Sequence, residues 1–240
     1  MAGKYTICAG TIGSGLWLSG DGGESWRRVM KGLWSESRVF GLTVCPHAPR
    51  TVFAGADDGI YKSNDGGQSF ERLDSPMNQM DVWKIAIDPA DPDIHDIGVI
   101  VNGGATVLTT TPREIFASHD RGESWSGLGV GNHFALPYCR SLAQKADDPD
   151  TLFVATGDSA VGTTGAIQRS TNGGKSWKMA DLPVKPNSPI WAFATHPADP
   201  GLVVACSHYG ELYKSENAGE SWAKLPREFT EIRSLSWTPN

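Results

Sequence analysis

The chain is short of the features that most directly announce a chemistry. Its 240 residues hold 4 cysteines, Cys8, Cys45, Cys139 and Cys206, scattered without paired spacing. That scatter gives no support to a zinc site or a disulfide framework, and a reduced, cytoplasmic setting is expected. Basic residues are outnumbered, 21 Lys and Arg against 27 Asp and Glu, for a net charge of −6. Nucleic-acid binding wants a basic stripe, and none stands out. No apolar stretch approaches the length of a membrane span, and Met1-Ala-Gly-Lys-Tyr-Thr-Ile-Cys8 has no apolar leader core, so no membrane partner is expected. Helix signatures are absent throughout. Gly174-Lys175-Ser176 ends like a phosphate-binding loop, but Arg169 stands where the first glycine of that motif belongs.

What the chain has is one eight-residue signature, five times over. The copies are Ser19-Gly-Asp21-Gly-Gly23-Glu-Ser-Trp26, Ser63-Asn-Asp65-Gly-Gly67-Gln-Ser-Phe70, Ser118-His-Asp120-Arg-Gly122-Glu-Ser-Trp125, Ser170-Thr-Asn172-Gly-Gly174-Lys-Ser-Trp177 and Ser215-Glu-Asn217-Ala-Gly219-Glu-Ser-Trp222. The serine-to-serine intervals are 44, 55, 52 and 45 residues, the size of one four-stranded blade. Turn chemistry accounts for the pattern. The fifth-position glycine supplies φ > 0, the third-position Asp or Asn accepts from turn N–H groups, and the eighth-position aromatic opens the outgoing strand. Calcium is the rival reading, but Asn172 and Asn217 drop the charge a hard cation favours, so no metal is expected.

The pattern Ser-x-Asp-x-Gly-x-x-Trp resembles the Asp-box, or bacterial neuraminidase repeat, of sialidases, xyloglucanase-like glycosidases, sortilin-type receptors and photosystem assembly factors. The resemblance implies an all-β fold, a β-propeller, here of five four-stranded blades. The approximate blades are residues 1–32 with 229–240, then 33–75, 76–130, 131–182 and 183–228, in one domain. Strands are clearest in the second: Val39–Cys45, Thr51–Ala56, Gly59–Ser63 and Ser69–Leu73, named A to D. The first blade has no A strand of its own before Tyr5–Gly10, and Glu231–Trp237 is an A strand with nothing after it. Pairing these two ends of the chain closes the ring and removes exposed edges.

The 55-residue interval holds one A-like strand too many. Val82–Ile87 and Ile94–Val101 both read as A strands, and only the second leads to Thr106-Val-Leu-Thr-Thr110. This predicts a propeller cut down from a larger one, with a surplus strand free to pair with a second copy of the chain; the plainer reading is a long D-to-A connection.

In propellers of this type the boxes lie on one face, and D-to-A and B-to-C loops form the other. Aligning the A strands by their small residues puts Phe40, Trp83, His95, Arg140, Trp191 and Arg233 at one level, with Arg38, Tyr138, Asp158, His208, Tyr209, Glu211 and Glu231 in neighbouring loops. Aromatics mixed with arginines and carboxylates suit a carbohydrate or peptide ligand, or else plug a narrow channel. No cofactor is implied. A glycosidase needs two facing carboxylates, or in sialidase-like enzymes a tyrosine, a glutamate and an arginine cluster. Tyr138 or Tyr209, Glu211 or Glu231, with Arg38, Arg140 and Arg233, supply the types. The Arg-Ile-Pro element of sialidases is absent, so no catalytic residue transfers by motif. The expectation is a non-catalytic binding or assembly propeller, with a glycoside hydrolase as the alternative.

Overall fold

The computed structural model describes residues 5–75, 78–79, 81–82, 85, 99–101, 106–111, 113–119 and 124–240. Twenty strands and one 3-10 helix, Val130–Asn132, are formed among them. The strands build five antiparallel four-stranded sheets within two compact units, one of residues 1–97 with 225–240 and one of residues 98–224.

The first unit holds two sheets. One runs β20 (Ile232–Pro239), β1 (Tyr5–Thr11), β2 (Leu16–Ser19), β3 (Arg27–Arg28), so the two ends of the chain share a sheet, Ile7 opposite Trp237 and Gly10 opposite Ser234. The other runs β4 (Val39–Cys45), β5 (Ala48–Ala56), β6 (Gly59–Ser63), β7 (Glu71–Arg72) in chain order. Alternation drives both: Leu16 and Leu18 point inward around Trp17, and Gly59, Tyr61 and Ser63 are buried while Ile60 and Lys62 are half-exposed. Leu16, Leu18, Val39, Val52, Ala54 and Phe70 meet in one core cluster, each larger side chain contributing about 2 kcal/mol on burial.

The second unit holds three. They are β8 (Val99–Val101) to β11 (Ser126–Gly127) through β9 (Thr106–Thr110) and β10 (Ile115–Ser118); β12 (Tyr138–Lys145), β13 (Asp148–Gly157), β14 (Gly165–Ser170), β15 (Lys178–Met179); and β16 (Ile190–Ala194), β17 (Val203–Ser207), β18 (Leu212–Ser215), β19 (Ala223–Lys224). Phe153, Ile167, Ile190, Val203, Tyr213 and Trp222 meet in one of its core clusters. Every fourth strand is only two residues long, much shorter than the Ser69–Leu73 reading.

The end strand of the third sheet that precedes β9 is Val99–Val101, from the second of the two A-like segments. Of the first segment the described residues are Val82 and Ile85, and neither is in a strand. Val82 N–H donates to the Ala56 carbonyl at 2.9 Å, and Ile85 O accepts from Thr43 Oγ1. Trp83, His95 and Asp120 lie outside the described residues.

The four boxes whose turns are described share one hydrogen-bond scheme. The first serine is the pivot: Ser63 Oγ accepts from Gly67 N at 2.8 Å and donates to Asp65 Oδ1 at 2.7 Å, and Asp65 Oδ1 accepts from Gln68 N and Ser69 N at 2.8 and 3.0 Å. Ser19, Gly23 and Asp21 repeat it, with Ser25 in place of Ser69. Where asparagine replaces aspartate the last bond reverses. The Ser69 hydroxyl donates to Asp65, whereas Asn172 Nδ2 donates to Ser176 Oγ at 2.8 Å and Asn217 Nδ2 to Ser221 Oγ at 3.0 Å. Positive φ falls on the fourth and fifth positions together, for example Gly66 at 77° and Gly67 at 88°, not on the fifth alone. The eighth aromatic precedes its strand instead of opening it, and its burial varies: Phe70 is 3 % exposed and Trp125 45 %.

Candidate functional site

Four end strands, β4, β12, β16 and β20, carry a β-bulge, and the bulged residues are four of the side chains that the sequence places at one level. Val39 pairs with Ala56 and Gly41 with Gly55, which leaves Phe40 as the extra residue. Cys139 and Ser141 straddle Arg140, and Ile190 and Ala192 straddle Trp191. In the first sheet Gly10 pairs with Ser234 and Thr11 with Ile232, leaving Arg233. A bulge bends its strand and re-aims one side chain out of the ladder, which is why bulges recur beside binding sites. The small residues around each bulge are the signal that aligned them in the sequence; the bulge itself leaves no periodic mark.

In the second unit these side chains form a ladder. The Arg140 guanidinium carbon lies 3.9 Å from the centroid of the Trp191 ring. Trp191 stacks on His208 at 4.2 Å with the planes 16° apart, and His208 stacks on Tyr209 at 4.7 Å and 22°. Trp191 and His208 are buried, whereas Tyr209 is 44 % exposed. The platform is pinned from behind. His208 N donates to Pro189 O and Tyr209 N to Ser188 Oγ, both at 2.8 Å, while Asn187 Oδ1 accepts from Ser188 and Ser207 hydroxyls at 2.8 and 2.9 Å. Asn187 and Ser188 escape sequence reading because the approach to β16 has no period to mark them, and Ser207 is a small residue at the end of β17.

The candidate acids are committed elsewhere. Glu211 is buried; its Oε2 accepts from Asn187 N and Tyr213 OH, both at 2.8 Å, and Lys224 Nζ lies 3.3 Å from Oε1. Asp158 gathers its own loop, accepting from Thr163 N at 3.1 Å and Ser159 N at 3.2 Å. The Thr163 N–H bond, with other loop N–H groups, holds its carboxyl below the usual range. Tyr138 opens β12 opposite Gly157, half-buried.

In the first unit, Arg38 lies 6.0 Å from the Phe40 ring centroid and Glu231 is ion-paired with Arg233. Among the described residues no group of three or more His, Cys, Asp or Glu side chains is placed to hold a metal ion. No helix of the described residues is long and apolar enough to cross a membrane. A cavity of about 470 Å³ in the second unit lies beside the fourth box, between His133, Phe134, Gln168, Trp177 and Met179, and contains none of the ladder residues.

Comparison with known proteins places this architecture. The Sortilin-Vps10 model, described as sortilin, neurotensin receptor 3, matches residues 113–239, just over half of the chain. The chain belongs to the Sortilin-Vps10 family. With its five boxes it is a member of the Asp-box β-propeller superfamily. The oligoxyloglucan-reducing end-specific xyloglucanase of Emericella nidulans is 24 % identical over 201 residues, which cover 70 % of this chain and 25 % of the relative. A probable enzyme of the same type from Neosartorya fischeri is 24 % identical over 213 residues, covering 75 % and 26 %. This Sortilin-Vps10 chain therefore spans about a quarter of the length of the curated relatives it matches. Among solved structures, a GH74 xyloglucanase from Xanthomonas campestris is 18 % identical, covering 92 % of this chain and 36 % of that one with a TM-score of 0.44. YCF48 bound to D1 peptide is 14 % identical, covering 95 % and 82 %, with a TM-score of 0.39.

Proposed function

We propose that this chain is a non-catalytic binding or assembly propeller whose five sheets are five blades, closed by the β1–β20 pairing. Its ligand, a carbohydrate or an extended peptide, docks against Tyr209 at the open end of the Arg140–Trp191–His208–Tyr209 ladder. The ladder carries the reading, because a rigid aromatic face backed by a cation suits a polar ligand with an apolar side. Two further observations favour binding over hydrolysis. Glu211 is saturated by three donors, and the Glu231 carboxylate is paired with Arg233. A general acid must offer its carboxyl to a sugar oxygen, and both carboxylates are already engaged within the chain. The surplus A-like segment remains a proposed route to self-association, read out by light scattering.

Titration calorimetry with a xyloglucan oligosaccharide and with an extended peptide tests the reading. Tyr209→Ala weakens binding of the true ligand about five- to tenfold, the range expected for one aromatic contact. The alternative, a glycoside hydrolase, rests on the xyloglucanase relatives. Release of new reducing ends from oligoxyloglucan by the intact chain, abolished in Glu231→Gln, would establish it and defeat the binding-only reading.

A further inference from the structure

The repeat allows one position to be compared across three sheets. At the last cross-strand pair Tyr61 faces Arg72, Tyr213 faces Lys224 and Trp17 faces Arg28. In the first two, the turn before the third strand supplies a carboxylate that holds both partners. Tyr61 OH donates to Asp58 Oδ2 at 2.8 Å and Arg72 Nη1 lies 3.7 Å from that oxygen. Tyr213 OH donates to Glu211 Oε2 at 2.8 Å and Lys224 Nζ lies 3.3 Å from Oε1. An aromatic, an acid and a cation form one internally neutral group.

The first sheet keeps the aromatic and the cation and lacks the acid. Its turn reads Ile12-Gly13-Ser14-Gly15, and Trp17 Nε1 donates to the Ser14 carbonyl at 3.1 Å instead. A second cation has been added. The guanidinium carbons of Arg28 and Arg227 lie 5.0 and 4.1 Å from the Trp17 ring centroid, so they are no more than about 9 Å apart. Arg227 also lies 5.0 Å from the Phe229 ring, which meets Trp17 edge-on at 5.7 Å. Among the described residues no carboxylate comes within 4.0 Å of either guanidinium, whereas Arg72, Arg169, Arg233, Lys145, Lys214 and Lys224 each have one.

We propose that this notch is an anion site, in which an oxyanion from outside the chain takes the place that Asp58 and Glu211 hold in the other two sheets. Two guanidiniums present forked N–H donors matched to carboxylate, sulfate or phosphate oxygens. Stacking on Trp17, itself fixed by the Ser14 bond, orders both heads before a ligand arrives, which lowers the entropic cost of binding. The site is independent of the Tyr209 platform.

The test follows the Trp17 indole and the arginine Nε–H groups by NMR on the full chain while sodium acetate, sulfate or phosphate is added at fixed ionic strength set with chloride. The expected result is a saturable shift of the Trp17, Arg28 and Arg227 signals with at least one of the three at up to about 50 mM. Which oxyanion responds identifies the source, planar or tetrahedral. Arg227→Gln weakens the response about tenfold, and the exposed Arg113→Gln leaves it unchanged. Ser14→Asp, which gives the notch its own acid, abolishes it, while Ser14→Asn retains it. No saturable shift in the unmodified chain, or a response that persists undiminished in Arg227→Gln and Ser14→Asp, overturns the proposal.

Discussion

Gly10 and Ser234 face each other across β1 and β20 so closely that a Cβ on Gly10 would lie 2.2 Å from Ser234 Oγ. The same Cβ would meet Val39 Cγ1 at 2.7 Å, and Ser234 Oγ donates to the Val39 carbonyl at 3.1 Å. Three strands of the first unit, β1, β20 and β4, thus converge where no side chain fits. Gly10→Ala is expected to destabilise this unit by about 2–3 kcal/mol through overpacking, measured by urea unfolding. Ser234→Ala with Gly10→Ala recovers part of the loss, since it removes the nearest atom.

Ala218 sits at the fourth position of the fifth box with φ 53°, where three other boxes have glycine at 68° to 79°. Left-handed backbone costs a non-glycine residue about 1 kcal/mol, offset here by the burial of one methyl group. Ala218→Gly should therefore change stability by no more than about 0.5 kcal/mol and in the stabilising direction. Its neighbour behaves otherwise. Gly219→Ala adds a Cβ at φ 79° and 2.5 Å from Phe153 Cε1, and a loss of about 2–4 kcal/mol is expected by thermal unfolding.

The acid boxes make stability pH-dependent. Asp21 is held down at about 2, first by the Ser25 hydroxyl and then by Ser25 N–H and Ser19. Asp65 also falls to about 2; its partial burial acts in the opposite direction and is outweighed by Ser69, Ser63 and Gln68. Folded values below the ordinary 3.8 mean that this contribution is complete above about pH 4 and is lost as pH falls toward 2. Asp21→Asn with Asp65→Asn, the choice already made at Asn172 and Asn217, should flatten the acid limb of a stability–pH curve.

Glu211 is expected to matter for folding and not for chemistry. Glu211→Ala removes the carboxylate that Lys224 Nζ, Asn187 N and Tyr213 OH share, at a cost of about 1–3 kcal/mol. Glu211→Gln keeps an acceptor and should cost less. Chemical denaturation of both variants checks the order.

Much of the fold was legible because turns and alternation leave local marks. Val39–Cys45 and Gly59–Ser63 are read from the sequence with the boundaries that the structure has, and Tyr5–Gly10 falls one residue short. What the box motif conceals is its own mechanism. Ser63 is buried and links Gly67 to Asp65, whereas the repeat marks only that a serine recurs there and not what it bonds. Ser63→Ala leaves the Gly67 N–H without its acceptor, and about 1–3 kcal/mol should be lost. The candidate site was half legible. Phe40, Arg140, Trp191 and Arg233 were found by alignment, but contact between Arg140, Trp191, His208 and Tyr209 depends on loops that bring distant residues together. Trp125 and Phe70 make the same point: one motif position, two environments, because register fixes where a side chain starts and neighbours decide what covers it.

The reversed bond in the asparagine boxes bears on how the protein ages. Asn172 precedes Gly173, whose φ of 68° and missing side chain leave the amide open to loss of ammonia, the common fate of thermolabile asparagine. Conversion to aspartate needs only that the Ser176 hydroxyl rotate and donate, as the Ser69 hydroxyl already does to Asp65. The isomeric product, with its backbone rerouted through the side chain, has no such counterpart in the other boxes. Old molecules will thus divide into a population with one extra acid box and a population with a broken turn.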